Sequence, residues 1–277
     1  MAAGNCPRCS TTLSSEDAIC PHCGSHAAAS AAPDAPLPPR YEIKVELGTG
    51  GMGRVYLCRD RDLDVDVAVK VLPPEIARSP KHLARIESEA KVAARLRGLP
   101  GILSLYGFER HGEACLLVME YAAGGSVFDR VRDQKRIPES GCRRVGSEAA
   151  DALAQAHGHG VLHRDIKPGN LLLDIHGRVK VADFGLGAIV EGAYSGPQAL
   201  PIEGTPVYMP PEVILGRGAD GRSDLYALGA TLYEMATGQP PYRGSYKQIA
   251  SAKTAEGHRP PDPRALQPAL SAEFAGS

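Results

Sequence analysis

His163-Arg164-Asp165-Ile166-Lys167-Pro168-Gly169-Asn170, followed eighteen residues after Asp165 by Asp183-Phe184-Gly185, is the most informative stretch of this 277-residue chain. It sets a carboxylate, a lysine, a carboxamide and a second carboxylate in close succession. Phosphoryl transfer needs such a set: a carboxylate to orient the attacking hydroxyl, a cation beside the moving phosphate, and oxygen ligands for Mg²⁺. Asp165, Lys167, Asn170 and Asp183 supply these chemistries in order. His-Arg-Asp also occurs by chance, so the reading depends on finding nucleotide-holding parts upstream.

Those parts are present. Gly48-Thr49-Gly50-Gly51-Met52-Gly53-Arg54-Val55 is a GxGxxGxV element between the strand-like runs Tyr41 to Leu47 and Val55 to Cys58. A dinucleotide-binding fingerprint would place a helix directly after the third glycine. Here a β-branched and aromatic run follows, so the loop joins two antiparallel strands and can fold over phosphates. Glycine suits that task because side chains hold backbone amides away from phosphate oxygens. By itself the pattern is weak evidence and better describes an ordinary glycine-rich hairpin. Val67-Ala68-Val69-Lys70 then forms a short apolar strand, and its lysine, seventeen residues past Gly53, becomes the candidate for the α- and β-phosphates.

Taken together, these motifs resemble the protein kinase family, most closely the bacterial eukaryotic-like Ser/Thr kinases. The resemblance runs from about Tyr41 to about Tyr242 and also covers Gly204-Thr205-Pro206-Val207-Tyr208-Met209-Pro210-Pro211-Glu212 and Ser223-Asp224-Leu225-Tyr226-Ala227-Leu228-Gly229. It implies an α+β, bilobed fold, with a β-rich N-lobe over 41–121 and a helical C-lobe over 122–277. It further implies ATP and Mg²⁺ (or Mn²⁺) as cofactors, and protein Ser/Thr hydroxyls as acceptors. Asp165 is then the base or orienter, Lys167 and Lys70 the phosphate clamps, and Asn170 and Asp183 the metal ligands. Gly48, Thr49, Gly50, Gly51, Met52 and Gly53 cover the phosphates. Val55, Ala68 and Leu172 sandwich adenine, and backbone groups of Glu120 and Ala122 bond its edge. Lys81 to Arg97 reads as an amphipathic helix; the family expects it to offer a glutamate to Lys70, best matched by Glu89, with Glu87 as second choice. Arg164 is left to hold an activation-loop anion, and Thr205 after Gly204 agrees with a Ser/Thr acceptor.

Further along, Ile102 to Tyr106 and Ala114 to Tyr121 read as strands, and Glu139 to His159 and Asp220 to Thr237 as helices. His157 and His159 are read as helix-end packing rather than catalysis.

Cysteine spacing adds a second module. Cys6-Pro7-Arg8-Cys9 and Cys20-Pro21-His22-Cys23 are two CxxC pairs ten residues apart, able to offer four thiolates to one tetrahedral Zn²⁺. The expectation is a zinc ribbon over 1–26, folded by its metal, which docks another protein or is structural. A redox dithiol needs only one pair and a βαβ setting. His22 and His26 are competing ligands. Residues 27–40 read as a flexible Ala/Pro linker. Cys58, Cys115 and Cys142 read as buried small hydrophobes.

Thirty-one basic and 32 acidic residues leave a net charge of −1, which argues against a broad nucleic-acid footprint. No apolar run approaches the roughly 20 residues that span a bilayer, and no secretory signal opens the chain, so a cytoplasmic protein without a membrane segment is expected. Three departures from the family pattern stand out. Pro211 replaces the usual alanine, Leu186 to Glu203 offers only Tyr194 and Ser195 as hydroxyls, and the helical lobe reads as shortened at Ser277. The last point leaves Glu212 without its usual arginine, with Arg243, Arg259 or Arg264 as substitutes. It also keeps open a pseudokinase or truncated fragment acting as a scaffold. A ribbon-centred protein and a small-molecule kinase are the remaining alternatives; the Gly204 to Glu212 segment, which resembles a peptide platform, speaks against the latter.

Overall fold

The computed structural model describes residues 4–5, 12–13, 37–50, 53–184, 206–257 and 259–276. Near the N-terminus, β1 (Gly4–Asn5) and β2 (Thr12–Leu13) form a small antiparallel pair. The Val-rich runs that follow build a five-stranded antiparallel sheet of order β3-β4-β5-β7-β6, made of β3 (Tyr41–Gly50), β4 (Gly53–Asp60), β5 (Val65–Val71), β6 (Leu105–His111) and β7 (Ala114–Glu120). Central β7 is buried from Ala114 to Met119, as expected of a strand covered on both faces. At the corner where the chain enters β3, Arg40 donates two hydrogen bonds to the buried carboxylate of Asp60, at 3.0 and 2.6 Å. Beside it, the Tyr41 hydroxyl bonds Glu109 at 2.6 Å.

Between β5 and β6 lie α1 (Pro74–Ala77) and α2 (Pro80–Ala94). Ser79 caps α2 and Pro80 opens it, a combination that satisfies a free amide and presets φ. Leu83, Ile86 and Ala90 recur at helical spacing and pack with Leu103, Cys115 and Leu117 of the sheet side.

The second lobe is helical. It comprises α3 (Val127–Gln134), α4 (Glu139–Gly158), a short hairpin of β8 (Leu171–Leu173) and β9 (Val179–Val181), α5 (Pro211–Ile214), α6 (Gly221–Thr237), α7 (Tyr246–Thr254) and α8 (Ala272–Ala275). Helices α4 and α6 pack directly, with Gly146 leaving room for Leu232, and Ala149, Leu153, Ile166 and Met235 are fully buried in the core. Helix α6 stops at Gly238, whose φ of +78° and close approach to the Lys135 carbonyl admit no side chain.

The bilobed α+β architecture agrees with the expectation from the sequence. The edges do not always agree. The ladder continues through Gly48, Thr49 and Gly50 to Gly53, so most of the glycine segment is strand rather than loop. The expected strand at Ile102 to Tyr106 is displaced: Ile102 makes only an isolated bridge to Val181, and β6 begins at Leu105. Glu212 also departs from expectation. Half-buried, it accepts the Ser223 hydroxyl at 2.7 Å, while two of the expected substitute arginines bond elsewhere, Arg243 to Gln239 and Arg264 to Asp262. Cys58, Cys115 and Cys142 are buried as expected, and burial pushes the Cys142 thiol up to about 12.

Candidate active site

The segment from Val161 to Asn170 is too polar to pack on its own and is held by one buried acid. Asp224, in the first turn of α6, is 1% exposed. Its carboxylate accepts the backbone N–H of His163 at 2.8 Å and of Arg164 at 2.7 Å, and lies 2.8 Å from His157 Nε2 at the end of α4. A carboxylate bonded by several donors stabilises an irregular backbone that no ladder supports. Arg164 and Asp183 both adopt left-handed conformations, with φ of 66° and 63°. Non-glycine residues keep such φ values only where the surroundings over-determine them, typically at active sites. His163 is fully buried: its Nε2 is 2.7 Å from the Ala182 carbonyl, and its Nδ1 accepts the Asp165 N–H at 3.2 Å. That pair of bonds fixes the neutral Nε2–H tautomer. The ring meets Phe184 edge-on at 4.7 Å, which ties the two motifs together.

On this frame the chemical groups converge. Lys167 Nζ lies 2.6 Å from Asp165 Oδ2, and Asn170 Nδ2 donates to the Asp165 carbonyl at 2.7 Å and to Oδ2 at 3.1 Å. Lys70, reaching from β5 with 6% exposure, places Nζ 2.9 Å from Asp183 Oδ2. Burial would raise the Asp183 carboxyl, but the charge and hydrogen bond of Lys70, with the Lys167 charge behind them, hold it below the usual carboxylate range. Asp183 is thus anionic at neutral pH.

Glu89 is elsewhere engaged. Its carboxylate takes Arg85 Nε at 3.2 Å on the same helix, so the expected Lys70–Glu89 pair is replaced by Lys70–Asp183 and Arg85–Glu89. Two acids compete for one lysine here, and sequence spacing does not rank them. Glu87 is half-buried on α2, and Lys70 bonds Asp183 instead.

The apolar residues expected to sandwich adenine lie together. Val55 of β4, Ala68 of β5, Leu172 of β8 and Ala122 share one apolar cluster with Met119 and Leu103. The Glu120 N–H donates to the Ser104 carbonyl at 2.9 Å, and its side chain pairs with Lys180 at 2.7 Å. Glycines divide by role. A Cβ on Gly53 would stand 1.9 Å from the Val71 carbonyl, so this glycine is demanded by strand packing; a Cβ on Gly48 would meet nothing within 4 Å and would only fill open space above the strand. Gly51, Met52, Gly185, Tyr194, Ser195 and Thr205 lie outside the described residues. So do Cys6, Cys9, Cys20 and Cys23; among the described residues no cluster of His, Cys, Asp or Glu is set to hold a metal ion. Likewise, no described helix is long and apolar enough to cross a membrane.

His163 and Asp224 stood inside the quoted motifs without an assigned role, and His157, read as helix-end packing, does sit at the end of α4 against Asp224. The signal was an acid on the apolar face of a helix, beside Ala227 and Leu228, which requires buried donors.

Comparison with known proteins agrees with this geometry. The protein kinase domain model matches residues 41–266. The chain is 38% identical to serine/threonine-protein kinase PknB of Mycobacterium leprae over 82% of its own length and 37% of that protein's. It is 39% identical to CBL-interacting serine/threonine-protein kinase 7 of Arabidopsis thaliana over 74% of its length and 48% of that protein's, and 35% identical to serine/threonine-protein kinase pkn3 of Myxococcus xanthus over 83% and 43%. The chain therefore spans less than half the length of each of these relatives. From the catalytic loop held by Asp224 to the lysine on β5, and across 226 consecutive matched residues, this chain belongs to the protein kinase family.

Proposed function

We propose that the chain is an ATP-dependent Ser/Thr protein kinase of the cytoplasm, transferring the γ-phosphate of ATP to hydroxyls of protein substrates. The observation that carries this is the convergence of Lys167 and Asn170 on Asp165, with Lys70 on Asp183. Asp165 orients the acceptor hydroxyl and receives its proton; Lys167 neutralises charge on the moving phosphate; Lys70 clamps the phosphates nearer the nucleotide. Asp183 and Asn170 suit Mg²⁺: one is an anionic carboxylate, and the other gives its amide nitrogen to Asp165 and keeps its oxygen for a hard cation. When bound, Mg²⁺ supplies neutralisation of phosphate charge. In the family's arrangement Lys70 pairs with Glu89, whose Oε1 here takes Arg85 while Lys70 rests on Asp183. Arg164, exposed beside Asp165, is suited to an activation-loop anion, and Thr205 to the acceptor side.

The Ser/Thr specificity rests on Lys167 two positions after Asp165 and on the names of the relatives. Purified wild type should phosphorylate Ser/Thr proteins with labelled ATP, and Asp183→Asn or Lys70→Met should abolish transfer while remaining folded; retained activity in Asp183→Asn would sink the assignment.

For the N-terminal part we infer a separate zinc ribbon over 1–26, used for protein docking. Support comes from the four-cysteine spacing and from the β1–β2 pair, which brackets Cys6 and Cys9 in sequence. Metal analysis of protein purified without chelator should find one Zn²⁺ per chain, lost when Cys6 and Cys9 become serine. A Cys6–Cys9 disulfide instead would refute it.

A further inference from the structure

Lys253 lies on α7, far from the catalytic groups in sequence, and is only 6% exposed. A buried ammonium must find donors' partners on all sides. Lys253 Nζ donates to two backbone carbonyls, Val207 at 2.8 Å and Met209 at 2.7 Å, and sits 5.1 Å from the Tyr226 ring centroid and 4.9 Å from that of Tyr242. Tyr208, the residue between those carbonyls, points the other way and bonds Glu234 of α6. The segment 207–209 is therefore held from two helices at once. Its position matters because Tyr208, Met209 and Pro210 line a small cavity together with Arg164 and Asp165.

Resting on the kinase reading above, we propose that Lys253 is a positioning residue for the protein acceptor: its amino group, bonded to the Val207 and Met209 carbonyls and flanked by Tyr226 and Tyr242, sets the height of the platform facing Asp165. A lysine fits this task because its flexible stem ends in one compact head whose N–H groups reach both carbonyls, between the two tyrosine rings that wall it. Lys253 touches neither nucleotide-binding nor metal-binding groups, so its effect falls on the acceptor side alone.

The test uses the full chain as wild type, Lys253→Met and Lys253→Arg. Three quantities are read: the acceptor KM for a Ser/Thr protein substrate, the Kd of a fluorescent ADP, and backbone hydrogen exchange at 207–210. Lys253→Met should raise acceptor KM about tenfold, leave ADP affinity within twofold, and speed exchange at 207–210 selectively; Lys253→Arg should recover most of both. Should Lys253→Met not fold, Lys253→Gln, which offers one carbonyl a neutral donor, is read the same way. An unchanged acceptor KM, or equal losses of acceptor and ADP binding with exchange rising throughout the lobe, overturns the proposal. Wild type that transfers no phosphate overturns the kinase reading instead. The clamp is then judged by exchange alone, and unchanged exchange at 207–210 in the variant refutes it.

Discussion

Asp224→Asn is the substitution that most directly separates scaffold from chemistry. The side chain keeps its volume but loses its charge and one acceptor. Asp224 Oδ2 serves His157 Nε2 and the His163 amide, and Oδ1 serves the Arg164 amide. With the new NH₂ turned toward Arg164, that amide loses its acceptor, at about 1–3 kcal/mol for a buried unsatisfied donor. The two remaining bonds lose charge assistance, roughly 0.5–1.5 kcal/mol each by the difference between charged and neutral hydrogen bonds. The total is about 2–6 kcal/mol, a large share of the ~5–15 kcal/mol that holds an ordinary domain together. Function should fall further than stability. Arg164 keeps its φ of 66° through this bond, and once released it carries Asp165 with it; a shift of about 1 Å at a catalytic group costs on the order of 100-fold in rate. Nucleotide affinity should barely change, because Lys70 and the apolar floor are untouched. Urea denaturation, steady-state transfer and ADP titration measure the three effects separately. A variant within twofold of wild type in kcat and within about 0.5 kcal/mol in stability, the usual range of an uninvolved site, would refute the claim that Asp224 holds the loop.

Gly53→Ala should weaken nucleotide binding at least tenfold and lower the melting temperature, since its Cβ collides with the Val71 carbonyl, whereas Gly48→Ala should leave the melting temperature near wild type; equal melting losses would contradict the division of roles. Arg85→Ala removes the cation that now holds Glu89 and should raise kcat two- to fivefold with little change in stability, as fits a pair of partly exposed side chains; a fall in kcat would mean that Arg85 supports the active state. For Lys253, burial pulls the pKa from 10.5 to about 7. Between those values the unfolded chain binds the extra proton and the folded chain does not, so this residue's contribution to stability increases with pH across that window. The stability difference between wild type and Lys253→Met, measured by urea denaturation from pH 7 to 9.5, should therefore shift in favour of wild type as pH rises; a flat difference would contradict the buried environment. Tyr226 and Tyr242 add no titration there, because burial raises both.

What the sequence made legible was chemistry encoded within a few residues of itself. The loop from His163 to Asn170 carries its own acid, lysine and carboxamide, and Val67 to Lys70 advertises a strand ending in a cation; both read correctly as elements and as a converging set. Helices α4 and α6 were legible because their apolar residues recur over four or five turns. Choices among equivalent partners were not legible. Lys70 pairs with Asp183 while Glu89 takes Arg85 of its own helix, a division between two acids that spacing cannot express. Strand β6 was misplaced because its second half, Glu109-Arg110-His111, is polar and reads as a turn, yet it forms an edge of the sheet. Lys253 was invisible for a similar reason. In a helix reading Lys-Gln-Ile-Ala-Ser-Ala-Lys, a lysine signals solvent, and only the approach of Tyr226 and Tyr242 from elsewhere in the chain buries it.

The corner at Arg40 has a mechanical consequence. Its guanidinium is locked by two bonds to an acid that is 1% exposed, and the next residue is locked to Glu109, on the opposite edge of the same sheet. A tug on the chain upstream of Leu37 meets a rivet before it meets the hydrogen-bond ladder of β3. Anything tethered there can diffuse, bind or be pulled while strain stops at the first residue of the strand, and the glycine segment at its far end is left undisturbed. By this geometry the corner would act as a strain relief between the chain upstream of Leu37 and the glycine segment of the sheet.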